Sequence, residues 1–456
     1  MNGSAQKKRL QKYKKQLEKS SLLYVDDYQE NVLEVINTYV VCPFIALYVL
    51  WVLTEAVKHR QKRLYFMARD GYLMYQAAVY YCEKYHLDIE CRYIYCSRYA
   101  LRVPMYHLDM KAALDYICSG GVDVTPAKIM KRADLTEHES KQVLAEVFQE
   151  CGEHEILPYS ELKRVKEKLM HCGSFLLYMK RHSEKKYPLL KGYLEQNGLL
   201  EDEPVAIVDS GWTGSIQRTL NLVLKKMGRK QSVEGYYFGL YELPSDVRRS
   251  DYHSFYFSPE SGYWEKVFFS NCFYEAIISA PYGMTTGYTK RDDRYLPICG
   301  RISTYNRRIL LKERQCLREY LDKSSMDFSV NMLLVIDFKK EKKIIGHNMS
   351  LLMSYPTKKE VDIYGKMNFT DDIRESEDCL LARKMNEAEL NDNHFSNKIL
   401  MLCGIKKGSV CESAWYEGSA ARDSRLRARH WASYIIYKCL LYIKKKIIWS
   451  IQYVRQ

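Results

Sequence analysis

The apolar positions of this chain fall into short runs that end on a charged residue and give way to a helical period. The clearest case is Val205 to Leu220, V-A-I-V-D-S-G-W-T-G-S-I-Q-R-T-L. Its first four residues are apolar and mostly β-branched, which predicts a buried strand. Asp209 follows at once, then a short turn, Ser210-Gly211-Trp212-Thr213-Gly214. A helical pattern starts near Ser215 and runs through Leu220, Leu222, Val223 and Leu224 to Gly228. The same order appears earlier. Arg63 to Met67 predicts a strand, Ala68-Arg69-Asp70-Gly71 a loop, and Tyr72 to Tyr85 an apolar-periodic helix. Cys91 to Cys96 predicts another strand, closed by Ser97-Arg98, and Val233 to Leu240 a further one.

Strands that alternate with helices predict an α/β, Rossmann-like fold: a mostly parallel sheet with helices on both faces. Crossovers in such sheets keep one hand, so the loops after the strands share one edge. Residues 108 to about 200 are polar and helical in pattern, with Ser119-Gly120-Gly121 as a break and Thr125-Pro126 as a helix start. They read as a helical insertion. Residues 252 to 300 read as aromatic and irregular. The expected organisation is a basic helical lead at 1–34, an α/β domain at 35–300, and a mainly helical extension at 301–456. Within the lead, helical pattern resumes at Asp26. The longest apolar run, Tyr39 to Leu53, contains Pro43 and is short for a membrane span. It predicts a buried helix.

Charge adds one element to this picture. The chain of 456 residues carries a net charge of +14, which calls for an anionic partner. The basic residues form no nucleic-acid-binding module, so a phosphorylated ligand or a membrane surface is expected instead. The terminal stretch Trp431 to Val454 mixes Ile, Tyr, Trp and Leu with Lys438, Lys444, Lys445 and Lys446. It predicts a basic amphipathic helix, packed on its own domain or lying on an anionic membrane. The 14 cysteines have no CxxC spacing, which argues for a reducing compartment and against a zinc framework. No leader pattern is visible at the polar, basic N-terminus, and a cytoplasmic location is expected.

Three groups are expected to converge at the sheet edge: Arg69-Asp70-Gly71, Ser97-Arg98, and Asp209 through Ser215. A strand, an acid, a small-residue turn and a helix start present N–H groups and hydroxyls to a phosphate. Arg69 and Arg98 supply planar cations for phosphate oxygens. Gly71 would let the backbone approach an anion. Asp70 could hold Mg²⁺, and Asp209 ribose hydroxyls. Trp212 either stacks on a sugar face or anchors packing.

Arg69-Asp70-Gly71 partly resembles the first motif of haloacid-dehalogenase phosphatases, Asp-x-Asp-Gly. Ala68 stands where that family has its nucleophile, so the aspartyl-phosphate step has no acceptor atom there. V-A-I-V-D-S-G-W-T-G-S more closely resembles the donor loop of type I phosphoribosyltransferases, with the usual pair of adjacent acids reduced to Asp209. The ordered set F-M-A-R-D-G-Y, Y-C-S-R, V-D-S-G-W-T-G-S-I-Q, G-Y-Y-F-G-L and Y-E-A-I-I-S-A-P-Y-G is similar to the glycan phosphoribosyltransferase domain of bacterial ribofuranosyltransferases. That resemblance covers roughly residues 35 to 300. It implies transfer of 5-phosphoribose from phosphoribosyl diphosphate to a glycan hydroxyl in O-antigen or capsule synthesis, with Mg²⁺ as cofactor. The acceptor would be lipid-linked, at the inner leaflet. Asp70, Asp209 and Glu275 would be the catalytic carboxylates. Glu275 and Asp70 are both candidates for the base, and the sequence does not choose between them. The family's fused phosphatase has no counterpart before Arg69, which implies a separate phosphatase or a product that keeps its phosphate. The rival readings are a haloacid-dehalogenase-like hydrolase and a non-catalytic scaffold.

Overall fold

A computed structural model describes residues 2–23, 31–119, 124–149, 151–324, 333–369, 379–402, 405 and 412–454. Five strands form one parallel sheet: β1 (Arg63–Met67), β2 (Glu90–Ile94), β3 (Val205–Trp212), β4 (Glu234–Leu240) and β5 (Tyr252–Phe257), in the order β2-β1-β3-β4-β5. This is a Rossmann-like, doubly wound arrangement. Strand order reverses direction between β1 and β3, the switch point at which such sheets bind ligands beyond the strand carboxyl ends.

Both faces of the sheet are covered, so its strands are apolar on both sides. Leu64, Phe66, Ala206 and Val208 pack on one face with the Cys42–Lys58 and Gly71–Lys84 helices. Tyr65, Met67, Val205 and Ile207 point to the other, where Leu190 and Leu194 of one helix meet Leu220, Val223 and Leu224 of the Ser215–Lys226 helix. The apolar run at Tyr39–Leu53 is part of a helical stretch, Val32–Lys58, that is long and apolar enough to cross a membrane, and 83% of its 18-residue apolar window is buried in the fold. Its Tyr48 hydroxyl lies 3.0 Å from the Asp209 carbonyl and 2.8 Å from the Tyr236 carbonyl, tying the helix to β3 and β4.

Helices between Met110 and Gln196 build a separate apolar cluster around Leu114, Ile117, Val143, Leu169 and Phe175. A helix at Asn2–Leu17 packs on the Phe338–Ser354 helix, and its Arg9 pairs at 3.2 Å with Glu360 of the following Lys358–Tyr364 helix. The helical pattern expected from Asp26, and the Gly120-Gly121 break, begin or lie outside the described residues. Beyond Thr304 the described chain is mainly helical.

Two expectations need correction. The turn expected at Ser210 is strand: β3 continues to Trp212 because β4 pairs with it through Asp209↔Tyr237, Gly211↔Gly239 and Trp212↔Leu240. Residues 252–300 are regular, comprising β5, short helices including Asn271–Ile278, and a hairpin of β6 (Thr285–Arg291) and β7 (Arg294–Cys299).

Candidate functional site

β1 pairs with β3 only as far as Phe66↔Val208. Beyond that point β3 runs on alone on its β1 side, and the loop after β1 folds against it. Asp70 ends that loop and precedes the Gly71–Lys84 helix in helical conformation, without capping it. Its carboxylate instead accepts a hydrogen bond from the Ser210 hydroxyl. Gly71 has a packing role. A Cβ there would lie 2.9 Å from the Phe66 carbonyl carbon, so the helix can start this close to β1 only without a side chain.

Asp70 and Asp209 act on each other electrostatically. Burial and the Asp70 charge push the Asp209 carboxyl up to about 8, opposed by the N–H groups of Ser210 and Gly211 and by the Arg98 guanidinium. Burial likewise raises Asp70, opposed by the Ser210 hydrogen bond and by the charge of Arg69. Two carboxyls in one partly desolvated site resist ionising together. The buried Tyr274 hydroxyl, which feels both acids, has no hydrogen-bond partner among the described residues. Two hard carboxylates, a hydroxyl and an orphan phenol fit a cation such as Mg²⁺, which binds few protein carboxylates and completes its shell with water and phosphate oxygens.

The other expected residues divide into two arms around this pair. Arg69, Asp70 and Glu275 line a cavity of about 300 Å³. Glu275 accepts a hydrogen bond from the Trp212 indole N–H. Trp212 itself is held among Phe257, Phe269, Tyr241 and Tyr274, with ring centroids 5.4–6.3 Å away. It anchors packing and positions Glu275. On the second arm, Thr213 and Gly214 lead into the twelve-residue Ser215–Lys226 helix, whose first turn offers N–H groups. Gly214 holds φ +61° there, and a Cβ would strike the Tyr252 ring at 2.6 Å. Gln217 fixes that helix start, donating to the Val233 and Asp251 carbonyls at 2.9 and 3.0 Å and accepting from Tyr237 at 2.8 Å. Arg98 is exposed and makes no hydrogen bond or ion pair among the described residues, while its charge reaches Asp209. Ser97 is engaged locally. Its hydroxyl caps the Arg98–Arg102 helix at Ala100 N–H and donates to the Thr285 carbonyl at 2.7 Å.

The cavity wall contains residues that no sequence motif marked: Arg301, Ser303, Asn306 and Asn368. Asn306 donates to the Asn368 carbonyl at 2.8 Å and accepts from its N–H at 2.9 Å. The region after 300 therefore completes the site. A second cluster sits at the amino ends of β4 and β5, where His59 Nδ1 and His253 Nε2 each lie 3.0 Å from one Glu234 oxygen. These three side chains could hold a metal ion, at the sheet edge opposite Asp209.

Neither a family model nor a curated protein matches this sequence.

Proposed function

We propose that this protein is a glycan phosphoribosyltransferase, moving 5-phosphoribose from phosphoribosyl diphosphate to a sugar hydroxyl. The observation that carries this reading is the Asp70–Asp209 pair at the β1/β3 switch point, bridged by Ser210 and flanked by Arg69 and Arg98. Such a pair suits a polyanionic donor that arrives with a divalent cation. When bound, Mg²⁺ would neutralise the diphosphate and make it a better leaving group.

The chain's own residues divide the remaining work. Asp70 and Ser210 hold the cation side. Asp209 orients the ribose hydroxyls, and the Thr213–Ser215 bend receives the 5′-phosphate at the helix start. Arg69 and Arg98 balance the charge of the departing diphosphate. The acceptor occupies the cavity beside Glu275. Its hydroxyl oxygen bonds to the anomeric carbon, the bond from that carbon to the diphosphate oxygen breaks, and the diphosphate leaves with the electron pair. Glu275 takes the hydroxyl proton. It is preferred to Asp70 as base because Asp70 is already committed to Ser210 and the cation.

A phosphatase of haloacid-dehalogenase type is not supported, since Ala68 offers no nucleophile. Calorimetry with phosphoribosyl diphosphate and Mg²⁺ tests the proposal. Expected is saturable binding that Asp209→Asn abolishes. Absence of heat at millimolar donor overturns it. Full function of Asp209→Asn in cells would instead indicate a scaffold.

A further inference from the structure

The Arg427–Val454 helix spans 28 residues and contains no aspartate or glutamate. At ~1.5 Å per residue it is about 42 Å long. One face is seated on the body. Lys438 donates to the Phe269 carbonyl at 3.2 Å and to Glu417 at 3.0 Å. Tyr442 stacks on Tyr241 at 5.3 Å, Lys445 pairs with Glu242 at 3.6 Å, and Arg249 lies over Trp449 at 5.1 Å. These contacts recur every three or four residues, so they define one side of the helix.

The opposite side is apolar and uncovered among the described residues. Ile436, Leu440, Ile443, Ile447 and Ile451 are 44%, 45%, 39%, 56% and 51% exposed. Their spacing of 4, 3, 4 and 4 places them within an arc of roughly 80° at 100° per residue. Lys444 and Lys446, both exposed, fall on either flank of that arc. An outward apolar stripe bordered by lysines, with no acid on the helix, matches the interface of an anionic bilayer. There the apolar residues enter the acyl boundary and the lysines reach the headgroups.

We propose that this face docks on an anionic lipid surface, with the helix lying in the interface plane. A second copy of the chain is a poorer occupant, because pairing two such stripes would set the lysines of one helix against those of the other. The seat of the helix also touches the candidate site. Tyr241, on which Tyr442 stacks, packs on Trp212 at 5.8 Å, and Trp212 holds Glu275. The membrane proposal itself does not depend on the donor reading.

The test is flotation of the full chain with vesicles of phosphatidylcholine alone or with 30% phosphatidylglycerol, without donor or Mg²⁺. Expected is binding to the anionic vesicles that weakens as salt rises. Each juxtamembrane lysine contributes enough that Lys444→Gln with Lys446→Gln should weaken binding by about thirtyfold. Ile443→Glu with Ile447→Glu should abolish it while leaving the circular dichroism melt unchanged, since both positions are exposed. Binding equal to wild type in the isoleucine variant overturns the proposal. So does a concentration-dependent dimer that this variant dissociates, with no vesicle binding by the wild type.

Discussion

The Ser210 hydroxyl donates to the Asp70 carboxylate across 140 positions of sequence, joining the overshooting end of β3 to the loop that follows β1. This contact is the physical link between the two arms of the site. It also lowers the proton affinity of Asp70, which burial raises. Ser210→Ala should therefore move the acid limb of donor binding to higher pH. A hydrogen bond to a charged group contributes about 1.5–3 kcal/mol, so a shift of one to two pH units is expected. Donor titrations from pH 5 to 8 read it. An unchanged limb would mean that Asp70 does not govern binding.

Asp209 makes a separate prediction about pH. Its carboxyl is raised from 3.8 to about 8 by burial and Asp70. The folded chain then holds a proton that the unfolded chain has released, throughout that window. Stability should fall as pH rises from about 4 to about 8 and level off above. Asp209→Asn removes this slope, so without cation it should melt a few degrees above wild type at pH 8, with the gap closing toward pH 5. Mg²⁺ should narrow that gap at pH 8, because a cation beside Asp70 also favours the ionised Asp209 and so stabilises the wild type more than the variant. Scanning calorimetry at pH 5 and pH 8, with and without Mg²⁺, measures both effects.

Glycines at two positions of similar positive φ should respond differently to alanine. Gly211 has φ +113°, and a Cβ there would meet the Gly239 carbonyl oxygen at 2.3 Å. Gly228 has φ +103° with nothing within 4 Å. Gly228→Ala should cost only the left-handed strain, roughly 1–2 kcal/mol. Gly211→Ala adds a clash with the backbone of β4 and should cost more than that, while displacing Ser210 from Asp70. Urea midpoints compare the pair. Equal losses would show that β3 and β4 separate without penalty.

The parts of this fold that could be read in advance were those where burial acts on consecutive residues. β1 and β3 are covered on both faces, so Leu64 to Met67 and Val205 to Val208 stand out as unbroken apolar runs. The meeting of Asp70 with the 209–215 stretch followed from the shared edge of a parallel sheet. β5 was hidden because His253 and Ser254 interrupt its apolar pattern at its less buried end. The extension of β3 was hidden because Ser210-Gly211 reads as a turn, and only pairing with β4 makes it strand. Arg301 and Asn306 carry no local signal. They reach the cavity through tertiary packing of a segment far along the chain, and periodicity is blind to that. The packing reason for Gly71, its closeness to Phe66, had no local signal either.

Arg301 and Asn306 share the cavity wall but differ in how they are held, so substitutions should separate acceptor recognition from architecture. Asn306 is buried and clasps both backbone groups of Asn368. Its removal would leave those groups unpaired and loosen the wall, lowering stability together with activity. Arg301 is exposed at the rim, after β7, and no described hydrogen bond depends on it. Arg301→Ala should leave the melting temperature unchanged. As a solvent-screened charge it contributes modestly, so the expected result is a rise of about three- to tenfold in acceptor KM. Donor affinity and kcat should stay within about twofold, because the cavity that Arg301 lines includes neither Asp209 nor the 213–215 bend. Steady-state kinetics with acceptor and donor varied separately resolve these terms. A loss confined to donor affinity would place the diphosphate, and not the acceptor, in the cavity beside Glu275.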